Sequence, residues 1–285
     1  MGSLGPHYPQ PGEGRRAWNY DGAISNAQSS SDAQSSSDAQ FSSDTPTRHP
    51  GDTPDAAEAG ALDASLRFSA IPDPRPVDTP WREMSWPPAP GVKLRGRIVE
   101  LSPAVADLDA DATFDALDHD RSWAFVSGRP HTSQAMADVL RRHIDNGRFP
   151  WIVRLHTGYR GIAAGAVVGM TSYLEVSAPD ARLEIGWTAY TPDVWGTLVN
   201  PDTKLVLLSH AFDVLGAGRV QLKTDVRNVR SQSAIARLGA RHERTLRRYQ
   251  RRGDGTVRDT VMFSIVAEDW PSVMRRLVER LDAAP

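Results

Sequence analysis

Hydrophobic positions follow two rhythms from about Val92 onward, and neither rhythm appears before it. "RIVELS" (97–102) alternates as a strand does. Residues 107–125 read as helix-rich, with Leu108, Phe114, Leu117 and Trp123 as apolar points. "TSQAMADVLRRHIDNG" places Met136, Leu140 and Ile144 on one helical face, with Thr132 as cap and Gly147 as stop. "WIVRL", "AAGAVVGMTSYL" and "RLEIGWTAYT" then predict three strands, the last with Leu183, Ile185 and Trp187 on one side. "TKLVLLSHAFDVLG" predicts a helix with Leu205, Leu208, Phe212 and Leu215 as its stripe and Gly216 at its end.

"RVQLKTD" is another strand. "NVRSQSAIARLGA" is a short helix capped by Asn228 and closed by Gly239. A hairpin follows, in which Asp254 and Gly255 suit a type I′ turn and Val257, Val261, Phe263 and Ile265 keep period two. An amphipathic helix with Val273, Leu277 and Leu281 closes the chain. The order β-α-α-β-β-β-α-β-α-β-β-α predicts one mixed α/β domain.

The front of the chain differs. "SSSDAQSSSDAQFSSD" (29–44) nearly repeats a six-residue unit, and proline-rich text surrounds it. Such composition cannot bury enough apolar surface to offset the entropy of ordering the backbone. The expected organisation is a disordered tail over 1–75, a proline-rich lead-in over 76–93 docked by Trp81 and Trp86, a domain over 94–270, and a helix over 271–285. A solvated tail and a partner-binding tail both fit the composition.

Charge divides along the same line. Residues 1–90 carry 6 Lys/Arg against 12 Asp/Glu, and the remainder carries 27 against 23, so a net charge of −2 conceals an acidic front and a mildly basic body. Neither excess argues for a nucleic-acid protein. The absence of cysteine excludes disulfides, thiolate metal sites and a cysteine nucleophile. The eight histidines show no metal-ligand spacing, and no metal is expected. No apolar run approaches the roughly 20 residues of a membrane span. Together these features suggest a soluble cytoplasmic protein, with its oligomeric state left open.

"WGTLVNPDTK" (195–204) links a strand to a helix. Asn200 is expected as N-cap with Pro201 in the first helical position. A helix start also exposes unpaired N–H groups and about half a positive charge, which suits a phosphate. With one glycine the stretch matches no standard nucleotide loop, so capping and phosphate binding are both open on these residues.

"LEIGW", "TDVRNVRSQSAIARLGA" and "RTLRRYQRRGDGTVRDTVMFSI" carry a resemblance over about 94–270. The chain resembles the GNAT superfamily of acetyl-CoA-dependent N-acetyltransferases, and within it the RimJ/RimL-like branch that acetylates ribosomal-protein N-termini. The resemblance implies that the amides of Trp195, Gly196, Thr197, Leu198, Val199 and Asn200 hold the coenzyme pyrophosphate. The family's loop usually reads Arg/Gln-x-x-Gly-x-Gly/Ala. Here only Gly196 survives and Leu198 stands at the central glycine, its side chain expected to turn away from the phosphates.

The resemblance further implies that Thr188, Ala189 and Tyr190 form an open strand edge for the pantetheine arm, and that one of their N–H groups polarises the acetyl carbonyl. It makes Glu184 a base acting through water; read alone, Glu184 is equally an exposed strand residue. It makes Ser231 the acid near the coenzyme sulfur, since Ile235 stands where many relatives have tyrosine; read alone, Ser231 is a polar residue of a capped helix. Asn228 caps that helix and contacts the coenzyme.

The implied acceptor is a primary amine of a protein N-terminus or a small molecule. A non-catalytic acyl-CoA-binding or nucleic-acid-binding module of the same fold is the alternative. The basic run Arg241, Arg244, Arg247, Arg248, Arg251, Arg252 and Arg258 reads as a solvated strand face, because no aromatic stacking surface accompanies it.

The composition of the tail yields a direct test. Deleting residues 1–70 is expected to leave the thermal midpoint of the protein nearly unchanged; a large drop measured by calorimetry would move the domain boundary into the tail.

Overall fold

The computed structural model describes residues 83–283, so the tail and Trp81 lie outside the described residues. Eight strands form one sheet: β1 (Leu94–Arg95), β2 (Val99–Pro103), β3 (Phe149–Leu155), β4 (Val167–Ser177), β5 (Arg182–Tyr190), β6 (Arg219–Asp225), β7 (Arg241–Arg251) and β8 (Val257–Val266). Their spatial order is β1-β2-β3-β4-β5-β6-β8-β7. All neighbours are antiparallel except β5 and β6. The helices are α1 (Ala106–Leu117), α2 (Asp120–Trp123), α3 (Ser133–Asp145), α4 (Val199–Ser209), α5 (Val229–Leu238) and α6 (Trp270–Asp282), with a π-helical turn His210–Val214 after α4.

Alternation along the strands divides the core between two faces. Ile152, Met170 and Ala189 lie side by side across β3, β4 and β5, and they pack against Ala110 and Leu117 of α1 and Met136 and Leu140 of α3. Trp151 and Tyr173 meet His210 of the π-helical turn, and the Tyr173 hydroxyl donates to the Leu207 carbonyl at 2.7 Å. Trp86 of the lead-in stands edge-on to Phe149 and Tyr173. At the other end, Trp270 stacks on Phe212 and donates to Asp213, which ties α6 to the π-helical turn.

Several local expectations need correction. The helix over 107–125 is two helices, because the indole Nε1 of Trp123 caps the Leu117 carbonyl at 2.7 Å and the chain turns at Asp118 and His119. Leu108 is 79% exposed rather than an apolar anchor. The buried face of α1 runs through Ala106, Asp109, Thr113 and Leu117, and Asp109 is held inward by Arg154 and the Val105 N–H. In α4 the stripe is shifted from the expected one: Leu207 is fully buried beside Leu208, while Leu205 is only half-buried. The hairpin turn is not type I′, since only Gly255 has positive φ there, while Asp254 accepts the Thr256 N–H. Thr132, Asn228 and Gly239 cap and close their helices as the sequence suggests.

A buried carboxylate joins the first hairpin to α4. Asp202 is inaccessible to solvent and accepts N–H groups of Arg97 (3.1 Å), Ile98 (2.7 Å) and Val99 (3.0 Å). Gly96 is required for this approach, because a Cβ there would overlap the Asp202 carboxylate. Each buried N–H left without a partner costs about 1–3 kcal/mol. Asp202→Ala is therefore expected to destabilise the protein by about 3 kcal/mol or more, and Gly96→Ala to destabilise it as well, both read from the denaturant midpoint. Wild-type midpoints for both would show that this junction carries no stability.

Candidate active site

The cleft arises where β5 leaves its neighbour. Parallel pairing with β6 covers only Arg182, Leu183 and Glu184. Two residues later β5 bulges against β4, and Trp187 adopts a positive φ of 49°. A left-handed backbone is unfavourable for an aromatic residue and is held here by its surroundings. The Trp187 ring lies 3.8 Å from that of His143, and Thr188 Oγ1 lies 2.8 Å from Thr171 Oγ1. At and beyond the bulge, Ala189 and Tyr190 pair only with β4 and Thr188 has no strand partner in the register, so the β6-side edge of all three is open.

The loop after β5 is built differently from the expectation. Asn200 is not the N-cap. Helix α4 begins at Val199, the cap position is Leu198 in helical conformation, and no side chain of Leu198 closes it. The physical reason lies upstream: Thr197 Oγ1 donates to the Val194 carbonyl (2.7 Å) and accepts the Val199 N–H (3.2 Å), so it starts the helix itself. Gly196 turns the chain with φ 71°. The N–H groups of Gly196, Leu198 and Asn200 have no hydrogen-bond partner among the described residues. Trp195 is covered by two guanidinium groups, Arg230 at 3.5 Å and Arg121 at 4.9 Å from its ring centre. Neither arginine has a carboxylate partner among the described residues. Burial, with the Arg121 charge beside it, lowers the Arg230 pKa.

Glu184 lies inside the same cleft and is only 5% exposed, which overturns its reading as an exposed strand residue. Its Oε2 is 2.7 Å from Lys223 Nζ and 3.4 Å from Gln221 Nε2. A side chain on Gly186 would bring a Cβ within 2.6 Å of Glu184 Oε1, so glycine makes room for the carboxyl. Burial pushes the Glu184 carboxyl up to about 7, against the opposing pull of the Lys223 ammonium. Burial alone would lower Lys223, but Glu184, Glu175 and the Tyr249 hydroxyl raise it, so it stays charged.

Asn228 Oδ1 accepts the Ser231 N–H at 3.0 Å at the start of α5. A single cavity of about 510 Å³ is lined by Glu184, Thr188, Ala189, Tyr190, Trp195, Gly196, Thr197, Asn200, Asn228 and Ser231. It thus gathers the candidate coenzyme and catalytic residues singled out from sequence except Leu198 and Val199, which do not line it; Val199 is fully buried.

Sequence reasoning missed Lys223, Arg230, Arg121 and Lys204. Lys223 was accessible from the alternation of "RVQLKTD", which puts Gln221 and Lys223 on one side of β6, and Gln221 pairs with Glu184. The two arginines carry no local signal, because only the tertiary fold brings α2 and α5 to Trp195. Among the described residues no group of three or more His, Asp or Glu side chains could hold a metal, and no helix is long and apolar enough to cross a membrane.

Comparison with known proteins agrees with this geometry. The family described as "Acetyltransferase (GNAT) domain" matches residues 99–241. A candidate acetyltransferase from T. thermophilus is 34% identical, with 69% of this chain and all of that chain covered and a TM-score of 0.60. A candidate GNAT-family acetyltransferase from Chromobacterium violaceum is 25% identical, with 72% and 100% covered and a TM-score of 0.64. Mycobacterium smegmatis RimJ, solved in complex with CoA-disulfide, shares the fold at 23% identity, with 67% and 93% covered and a TM-score of 0.55. No curated protein matches the sequence. With an open strand edge, a helix start bearing partnerless N–H groups and a match over just over half its length, the chain belongs to the GNAT acetyltransferase family.

Proposed function

We propose that the protein transfers an acetyl group from acetyl-CoA to a primary amine of a protein N-terminus or a small molecule, in the manner of the RimJ/RimL-like branch. The observation that carries this reading is the meeting of three things in one cavity: Gly196 and Asn200 with their partnerless N–H groups at the start of α4, the open edge of β5, and the buried Glu184 carboxyl. The coenzyme bound in the M. smegmatis relative supports the same choice of donor.

In this reading the N–H groups of Gly196 and Asn200 take the pyrophosphate, as unpaired donors at a helix start do, with the unpaired Leu198 N–H beside them in the chain. Arg230 and Arg121, held over Trp195 without carboxylates, add positive charge beside it. The pantetheine arm lies along Thr188, Ala189 and Tyr190 as an added strand. An N–H there stabilises the oxyanion formed on attack, a contribution of about 3–4 kcal/mol.

An alkyl ammonium has a pKa near about 10, so a base must remove its proton. Glu184, with its pKa near 7, is a stronger base than an ordinary carboxylate and still ionises at neutral pH. Ser231, at the capped start of α5, returns a proton to the leaving sulfur. The Lys223–Glu184 ion pair supports a second reading, a non-catalytic acyl-CoA binder whose carboxylate is held by structure alone.

Two measurements follow from this arrangement. Acetyl-CoA at a hundred times its Kd is expected to stabilise the protein by about 2.7 kcal/mol, seen as a rise in melting temperature. Asn200→Asp is expected to weaken binding about a hundredfold, since two unit charges roughly 5 Å apart repel by about 3 kcal/mol at an effective dielectric near 20. Unchanged affinity in that variant would move the phosphates away from α4.

A turnover assay separates enzyme from binder. A screen for coenzyme A release against a library of amines is expected to find turnover that falls as pH drops through about 7, because protonation removes the Glu184 base. Glu184→Gln should keep coenzyme affinity and lose on the order of a hundredfold or more in rate. Tight binding with no turnover on any amine would leave the acyl-CoA binder.

A further inference from the structure

Lys204 has no role in the chemistry above, yet its amine lies inside the cleft. It sits in the second turn of α4, lines the same cavity as Glu184 and Thr188, and is 5% exposed. Its Nζ has one hydrogen-bond partner among the described residues, Thr188 Oγ1 at 3.3 Å, and no carboxylate within ion-pair reach. Buried ammonium groups are ordinarily paired, because an isolated charge in a low-dielectric site is costly.

From this placement we infer that Lys204 is an acceptor of the protein's own acetyl transfer, a self-modification site at the floor of the acyl-CoA cleft. The inference rests on the proposed donor site, which lays the pantetheine arm along Thr188–Tyr190 and so brings the thioester past the residue that holds Nζ. The Nζ lone pair forms a bond to the acetyl carbonyl carbon and the carbon–sulfur bond breaks. The sulfur departs as thiolate and receives the proton released by the amine. The products are coenzyme A thiol and an uncharged acetyl-lysine, with no further reactant.

Two features favour this amine over the others in the chain. Burial pushes the Lys204 pKa down to about 7, so free amine is abundant at neutral pH. Its acetylation also removes the unpaired buried charge. The chain has three lysines in all, and the other two serve as internal controls. Lys223 is held between Glu184 and Glu175 and remains protonated. Lys93 is exposed on the loop before β1 and reports purely chemical acetylation.

The test uses the full chain incubated with acetyl-CoA and mapped by peptide mass spectrometry, with coenzyme affinity measured in parallel. The expected result is one acetyl group on Lys204, appearing at a rate that saturates with acetyl-CoA and does not depend on protein concentration. That rate should exceed the rate at Lys93 by on the order of a hundredfold, as proximity to a bound thioester predicts. Lys223 should stay unmodified, and Lys204→Arg should acquire no acetyl group beyond the background at Lys93. Coenzyme binding with Lys204 unmodified, or modified no faster than Lys93, overturns self-acetylation and leaves the donor site standing. Failure to bind acetyl-CoA at all overturns the donor site and this inference together.

Discussion

The early parting of β5 from β6 is the constraint on which the site depends. Two parallel strands that pair for only three residues must separate, and the bulge at Trp187 turns the departing strand so that its far edge stays unpaired. Exposed strand edges are usually covered or blunted. This one opens into a cavity bounded by α4 and α5, so its polar groups are available to an extended ligand and shielded from other sheets. The strain of the left-handed Trp187 is supported by its contact with His143, whose ring nitrogen meets Arg148. Burial pushes the His143 pKa down to about 4, so it packs as a neutral ring, and the nearby charges of Arg148 and Arg142 also disfavour its protonation.

The cleft walls are organised by buried charge rather than by apolar packing alone. Asp202 ties the β1–β2 connection to the first turn of α4 and so fixes where that helix starts. Glu184 and Lys223 bridge β5 and β6 just where their backbone pairing ends. Asp225, at the end of β6, is held by Arg252 of the last hairpin, and despite its burial these contacts bring its pKa down to about 2. Removing one partner of such a pair costs far more than the pair contributes, because a single charge is left behind in a poor solvent. The arrangement therefore favours one geometry of the cleft over its alternatives.

The basic hairpin divides by environment. Arg252 is committed to Asp225 and Arg258 reaches the cavity, whereas β7 is exposed along nearly its whole length. Glu243 interrupts the positive run and pairs with Arg219 at 2.6 Å. The strand is an edge of the sheet whose charges keep it in water, a common means of preventing edge-to-edge association.

Much of the fold is legible in the sequence, because alternation and helical spacing follow from which side of a local element meets the core. The succession of elements, the caps Thr132 and Asn228 and the stop at Gly239 all depend on residues a few positions apart. The cleft-lining residues could be named through family resemblance, since motifs such as "LEIGW" and "NVRSQSAIARLGA" lie within single elements. What lay beyond reach depends on contacts distant along the chain. The break after Leu117 requires Trp123 to fold back, and the inward turn of Asp109 requires Arg154. The burial of Glu184 requires Lys223, the pairing of Arg121 and Arg230 over Trp195 requires α2 and α5 to converge, and the exposure of Leu108 requires a neighbour that α1 does not have on that side. Local pattern determines which elements form and which faces they bury. Only the tertiary structure decides which charges enter the cleft, because the cost of burying a charge is set by partners that the local sequence does not contain.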